Sequence, residues 1–312
     1  MKKSMLFTIL SLILVLCLCS CSSNEKTSTI DEGSTSMIKE TIWKDKDEKE
    51  HIASFMTMGT TAKMVVKEAP EITLNHIIVD EVPIYEMYSK DTCTGKMVFF
   101  FHGHFSRKEE YLSEMLNYAE AGYFCVTVDI VAHGERISNE EIMSIQATID
   151  TAKNIDLLLE YYETNSLANP NNFALVGLSQ GGSVAYWYAA YGTRLPSAII
   201  VGSTTPDFQY QEDNIAIKNG ERTNAIWTDD VIQKFIDDNN PINNVERFID
   251  IPIMSGNGLD DEVISYKGAE SLEKLIVNKG NASSKFYYFE HAGHEVTEEF
   301  MRNVIPFLDN NM

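Results

Sequence analysis

The chain alternates short apolar runs with longer stretches in which apolar residues return every three or four positions. Runs at 97–101, 124–130, 173–176, 198–201, 251–254 and 286–289 are dense in Val, Ile, Phe and Met and predict buried strands. Between 133 and 169, Ile142, Ile145, Ile149, Ala152, Ile155, Leu158 and Tyr162 recur at helical spacing, a core face and not a cofactor box. The segment after Ser183 is rich in alanine and aromatic residues and suits a helix buried against a sheet. This alternation predicts an α/β fold, a mostly parallel sheet with helices on both faces. Runs at 72–79 and 83–88 predict an antiparallel start. Between 203 and 247 an insertion carrying Phe208, Tyr210, Trp227 and an amphipathic 231–236 interrupts the rhythm. It is expected to form a small cap; the alternative is a surface excursion with its own mini-core.

The N-terminus follows another pattern. Lys2 and Lys3 precede an apolar run from Met5 to Leu18, too short for a confident membrane span. The run ends in Leu18-Cys19-Ser20-Cys21, which resembles a bacterial lipobox with Cys21 as the lipidated residue. An uncleaved anchor or a plain signal peptide is the competing reading. Residues 22–50 are polar and charged, and 22–60 is expected to be a flexible tether. The domain organisation is therefore 1–21 signal peptide, 22–60 tether and 61–312 main domain. The protein is expected on the extracytoplasmic face of the bacterial membrane, anchored by lipid.

Charge sharpens this picture. The formal net charge is −21, and becomes about −23 if Lys2 and Lys3 leave with the signal. Such acidity disfavours nucleic acid or a polyanion as partner, and leaves lipid, not basic residues, to hold the membrane. Cys93 and Cys125 are the cysteines beyond the lipobox. Cys125, inside an apolar run, is expected to be a buried small hydrophobe; a Cys93–Cys125 disulfide is a minority reading.

The chemistry is carried by Gly177-x-Ser179-x-Gly181-Gly182, which follows an apolar run directly. This spacing is the sequence form of a nucleophile elbow, a serine on a tight strand-to-helix turn. Alone it is weak, because a serine in a glycine-rich loop looks the same. Order strengthens it. Acidic residues follow the 251–254 run at Asp260 and Asp261, and His294 follows the 286–289 run. Upstream, His102-Gly103-His104 closes the 97–101 run, where backbone N–H groups can form half of an oxyanion hole.

With these motifs in place, residues 70–312 resemble the α/β-hydrolase superfamily. His102-Gly-His-Phe-Ser-Arg-Lys-Glu109 is similar to a stretch of the dienelactone-hydrolase and prolyl-oligopeptidase-like esterase branch. Asp129 followed by His133-Gly-Glu-Arg136 is similar to the next motif of that branch. The resemblance implies Ser179 as nucleophile, His294 as general base, and the backbone N–H groups of Gln180 and His104 as oxyanion donors. Aligned from Pro252, it implies Asp261 as the acid; aligned from Gly256, it implies Asp260. Strand length and the following Val-Ile favour Asp261. His291 competes with His294, but the flanking Gly293 and Glu295 favour His294. No cofactor is implied, and the expected substrate of this monomer is a small neutral carboxylic ester.

Other readings stay open. Acetyl xylan esterases share Gly-x-Ser-Gln-Gly-Gly and the His294-Glu295 pair, but carry Arg-Gly-Gln where this chain has Ala132-His-Gly-Glu-Arg136. Peptidase activity is the main rival within enzymes, and a non-catalytic surface lipoprotein is the rival outside them. His102-x-His104 and His291-x-x-His294 have ligand-like spacing, yet the zinc-protease pattern is absent, so no metal site is expected. His102 is expected to order the oxyanion loop and His133 the neighbouring turn.

Overall fold

The computed structural model describes residues 72–312 apart from 165–166, 212–215, 220 and 223–226, together with the backbone of four earlier strands. Those strands are β1 (Lys26–Ser28), β2 (Ser36–Lys44), β3 (Glu50–Met58) and β4 (Thr61–Val66), an antiparallel meander in the order β1-β2-β3-β4. The first three of these strands fall within the stretch expected as a tether over 22–60, and β4 falls at the domain start expected at 61. Charge dominated the composition, but Ile38, Thr41, Ile42, Trp43, Ile52, Phe55 and Thr57 are residues that favour strands. The lipobox and Cys21 lie outside the described residues.

The main domain begins with the antiparallel pair β5 (Ile72–Val79) and β6 (Val82–Ser89). Then come β7 (Lys96–Phe101), α1 (Leu112–Glu120), β8 (Phe124–Val128), the two-residue β9 (Ile142–Met143), α2 (Ser144–Tyr162), β10 (Asn169–Leu178) and α3 (Gln180–Tyr191). The chain continues through β11 (Ala198–Gly202), β12 (Ala216–Lys218), β13 (Glu221–Arg222), α4 (Asp229–Asn239), β14 (Ile253–Gly258), α5 (Lys267–Val277), β15 (Lys285–Phe289) and α6 (Glu298–Asn311). Eight strands form one sheet in the order β5-β6-β8-β7-β10-β11-β14-β15, parallel from β8 to β15. This is the α/β-hydrolase fold.

Period two divides the strand residues between two cores. Met97, Phe99 and Phe101 face one side of the sheet with Phe173, Leu175, Ile199 and Val201, where α2, α3 and α5 pack. Val98 and Phe100 face the other side with Ala174, Val176 and Ile200, where α1 and α6 pack. The strands are buried on both faces, which is why they read as continuous apolar runs and not as alternating ones. Ile142 departs from the predicted helical stripe. It lies in β9 and pairs with β12, so the helix starts two residues later, at Ser144.

Candidate active site

Parallel strands deliver their following loops to one edge of the sheet, where Ser179, Asp261, His294 and His104 stand on such loops and Gln180 opens the helix after one. Ser179 comes one residue after β10 with φ 54° and ψ −122°, a left-handed conformation that costs a serine of order 1–3 kcal/mol. The surrounding packing enforces it. A Cβ at Gly181 would sit 2.0 Å from Phe101 O, and one at Gly177 would sit 2.2 Å from Gly181 O. Ser179 N–H donates to Gly202 O at 2.8 Å, fastening the turn to the neighbouring strand. Gln180 opens α3, so its N–H belongs to the first turn, where helix donors have no intrahelical acceptor.

His294 reaches Ser179 from the loop after β15. Its Nε2 is 2.9 Å from Ser179 Oγ, and its Nδ1 is 2.8 Å from Asp261 Oδ2. Asp261 follows β14 with its carboxylate fully buried, and its Oδ1 accepts from the N–H groups of Val263 and Ile264 at 2.8 and 2.9 Å. The other oxygen is thereby aimed at the imidazole. Asp260 turns away: its side chain is 67% exposed and stands 3.9 Å from His291, itself 93% exposed. The structure therefore brings together Ser179, His294 and Asp261, and leaves Asp260 and His291 at the surface.

His104 lies beside this group. Gln180 Nε2 donates to Ser144 O at 3.1 Å, which turns Gln180 Oε1 toward His104 Nδ1 at 3.0 Å. A Cβ at Gly103 would be 3.5 Å from Ser179 Cβ, so the loop carrying the His104 N–H borders the serine. His133 packs its ring 5.2 Å from that of His104 and 5.4 Å from that of His102. Its Nδ1–H donates to Val131 O at 3.1 Å, while Nε2 is buried without a partner among the described residues. Burial, reinforced by His102 and His104, lowers the His133 pKa to about 4. His133 is therefore a neutral imidazole at neutral pH.

The insertion is tied to α3. Arg247 donates to Ala189 O and Gly192 O at 3.1 and 2.7 Å, and Tyr191 OH donates to Asn240 O at 2.9 Å. Its β12 pairs with β9, directly before the Ser144 that holds Gln180. Phe208 is fully buried in the core while Tyr210 is 38% exposed, so of these two aromatics only Tyr210 offers a face to a ligand. Trp227 packs, half-buried, against the same core. Cys93 and Cys125 are both free thiols, and burial pushes that of Cys125 well up. Among the described residues no helix is long and apolar enough to cross a membrane.

Sequence reasoning missed the ionic cluster behind the site. The sequence places Lys108, Asp129 and Glu135 within motifs and does not pair them. The available signal was a charged residue, Asp129, directly after a largely apolar strand.

An α/β-hydrolase sheet with a serine on its elbow defines a serine hydrolase of the α/β-hydrolase superfamily. The sequence model of the prolyl oligopeptidase family matches residues 104–311, so the chain belongs to that family. Comparison with curated proteins finds no match. Among solved structures, the chain is similar to TT1662 from Thermus thermophilus, with 18% identity, TM-score 0.59, and coverage of 77% of this chain and 97% of that one. It is also similar to the butyrate-bound esterase Est2 of Thermogutta terrifontis, with 12% identity, TM-score 0.54, and coverage of 78% and 95%. A puromycin-hydrolyzing peptidase of Mycobacterium tuberculosis shares 14% identity at TM-score 0.59, over 89% of this chain and 46% of that one. The chain thus spans about half the length of that peptidase.

Proposed function

We propose that this protein hydrolyses small neutral carboxylic esters through an acyl-enzyme on Ser179. In this reading Ser179 Oγ attacks the acyl carbonyl carbon and gives its proton to His294 Nε2. Asp261 holds the Nδ1–H tautomer and stabilises the imidazolium. The N–H groups of Gln180 and His104 receive the oxyanion. The imidazolium then protonates the leaving alcohol, and water, deprotonated by His294, releases the acid and restores Ser179. The observation that carries the proposal is the unbroken run of contacts from Ser179 Oγ through His294 to Asp261, at 2.9 and 2.8 Å.

Peptide hydrolysis is the second reading, favoured by the family match over 104–311. A panel of short-chain aryl esters and aminoacyl arylamides, run with the wild type and Ser179→Ala, separates the two. Ester turnover well above amide turnover, abolished in Ser179→Ala, is the expected outcome. The reverse preference would make the protein a peptidase, and turnover surviving in a folded Ser179→Ala would remove the serine mechanism. Lipid attachment at Cys21 and an extracytoplasmic location belong to the same proposal and rest on Leu18-Cys-Ser-Cys21.

A further inference from the structure

A buried ionic cluster stands directly behind the loop that borders Ser179. Asp129 follows β8 and is fully buried. Its Oδ1 accepts from Lys108 N–H at 2.9 Å, and its Oδ2 accepts from Lys108 Nζ at 2.6 Å and Glu135 N–H at 3.0 Å. Lys108, also fully buried, donates to Glu135 Oε1 at 2.7 Å and stands 3.2 Å from Glu109 Oε1. Burial alone would lower the Lys108 pKa, but Asp129 and Glu109 outweigh it and raise it, so the ammonium stays charged. Gly134 takes φ 51°, and a Cβ there would lie 2.2 Å from Asp129 Oδ1. The chain bends left-handed around the carboxylate, where only glycine fits.

The next residue passes this anchorage to the site. Ile130 N–H donates to His102 Nε2 at 3.0 Å, which makes that nitrogen an acceptor and puts the ring proton on Nδ1. Asp129 Oδ1 is farther from the same nitrogen, at 3.5 Å, and already takes the Lys108 N–H. His102 Nδ1–H therefore donates to Gly103 O, at 2.8 Å. In a planar trans peptide the carbonyl and the N–H point opposite ways. Holding Gly103 O toward His102 turns the His104 N–H to the other side of that peptide. The loop from His102 to Lys108 is thus clamped at both ends by Asp129 and Ile130, and the peptide between the clamps borders Ser179.

We propose that His102, Asp129 and Lys108 are positioning residues that lock the Gly103–His104 peptide with its N–H presented to the oxyanion of the Ser179 adduct. This rests on the serine-hydrolase reading above. Ser106 N–H also donates to Gly103 O, at 3.2 Å, so without the shorter His102 bond this longer one alone resists rotation of the peptide, which would place a carbonyl where the N–H is needed.

The test compares His102→Asn, whose amide reaches the Nδ1 position, with His102→Gln, whose amide reaches only the Nε2 position. Losing one oxyanion donor typically lowers kcat about 10²–10³-fold. The glutamine variant should show that loss with KM unchanged, and should lose affinity for an alkyl boronic acid, a tetrahedral mimic, by a similar factor. The asparagine variant should stay within about tenfold of wild type. Asp129→Asn supplies a second reading if the glutamine variant does not fold: the same loss in kcat, not in KM, is expected. Wild-type kcat in folded His102→Gln or Asp129→Asn, or a loss confined to KM, overturns the proposal. Ser179→Ala tests the underlying reading separately. A protein that needs Ser179 but tolerates both substitutions loses only the positioning role.

Discussion

At Ser179 the left-handed backbone and the 2.9 Å contact to His294 concern the same atoms, because the turn that strains the chain is also what lifts Oγ to the imidazole. Asp261 acts one step further back, with one oxygen held by two backbone N–H groups and the other by His294. Asp261→Asn should therefore lower kcat by about 10⁴-fold through the wrong imidazole tautomer. Asp260→Asn, at an exposed side chain, should leave kcat near wild type. Steady-state kinetics of the two variants checks this, and the opposite ranking would move the acid to Asp260. His133 gives a pH prediction. Its folded pKa is about 4 against an ordinary 6.5, so between those values the unfolded chain takes up a proton that the folded chain refuses. The stability it contributes is complete above about pH 6.5 and is lost as the pH falls toward about 4. Denaturant midpoints over that window should fall with pH, and His133→Gln should flatten the part due to this residue. His102, His104 and Asp129, which surround it, are unchanged in that variant.

At the scale of elements, five of the eight left-handed non-glycine residues among the described residues gather where the chemistry is; Asp80, Glu81 and Asn219 sit in hairpin turns. Phe105, Ala132, Ser179, Ser203 and His291 follow β7, β8, β10, β11 and β15, all at the same edge of the sheet. The strands themselves were legible because burial on both faces leaves uninterrupted apolar runs, and Ser179, Asp261 and His294 were legible because each stands on the turn or loop that follows one. The four-stranded N-terminal meander was not, since polar charge-rich residues mask its strand formers. The Lys108–Asp129 pair was not either, because two residues 21 apart become partners only when β7 and β8 lie side by side. Removing one member of a buried pair strands the other, so Lys108→Met should cost about 3–5 kcal/mol in denaturant unfolding. An unchanged midpoint would mean that the cluster is dispensable to the fold. In the insertion, Phe208→Ala should destabilise by about 3–5 kcal/mol as a core cavity. Tyr210→Ala should instead shift KM or acyl-chain preference with little change in stability. If the two variants behave alike, the insertion does not shape the pocket.

On the scale of the whole molecule, a sheet buried on both faces supports a row of loops, and the full chain carries a formal net charge of −21. Charge of that sign repels an anionic membrane, so the proposed attachment must come from lipid on Cys21. Palmitate labelling should mark the wild type and be absent from Cys21→Ser, and an unlabelled wild type would leave a plain secreted form. The central claim is that this fold presents Ser179 as an activated nucleophile. Its most direct test is the rate and position of covalent labelling by a fluorophosphonate, followed by intact-mass and peptide mass spectrometry. A single adduct on Ser179, absent in Ser179→Ala and slowed by orders of magnitude in His294→Ala, is the predicted result. An adduct on another serine, or labelling of Ser179 at an undiminished rate without His294, would contradict it.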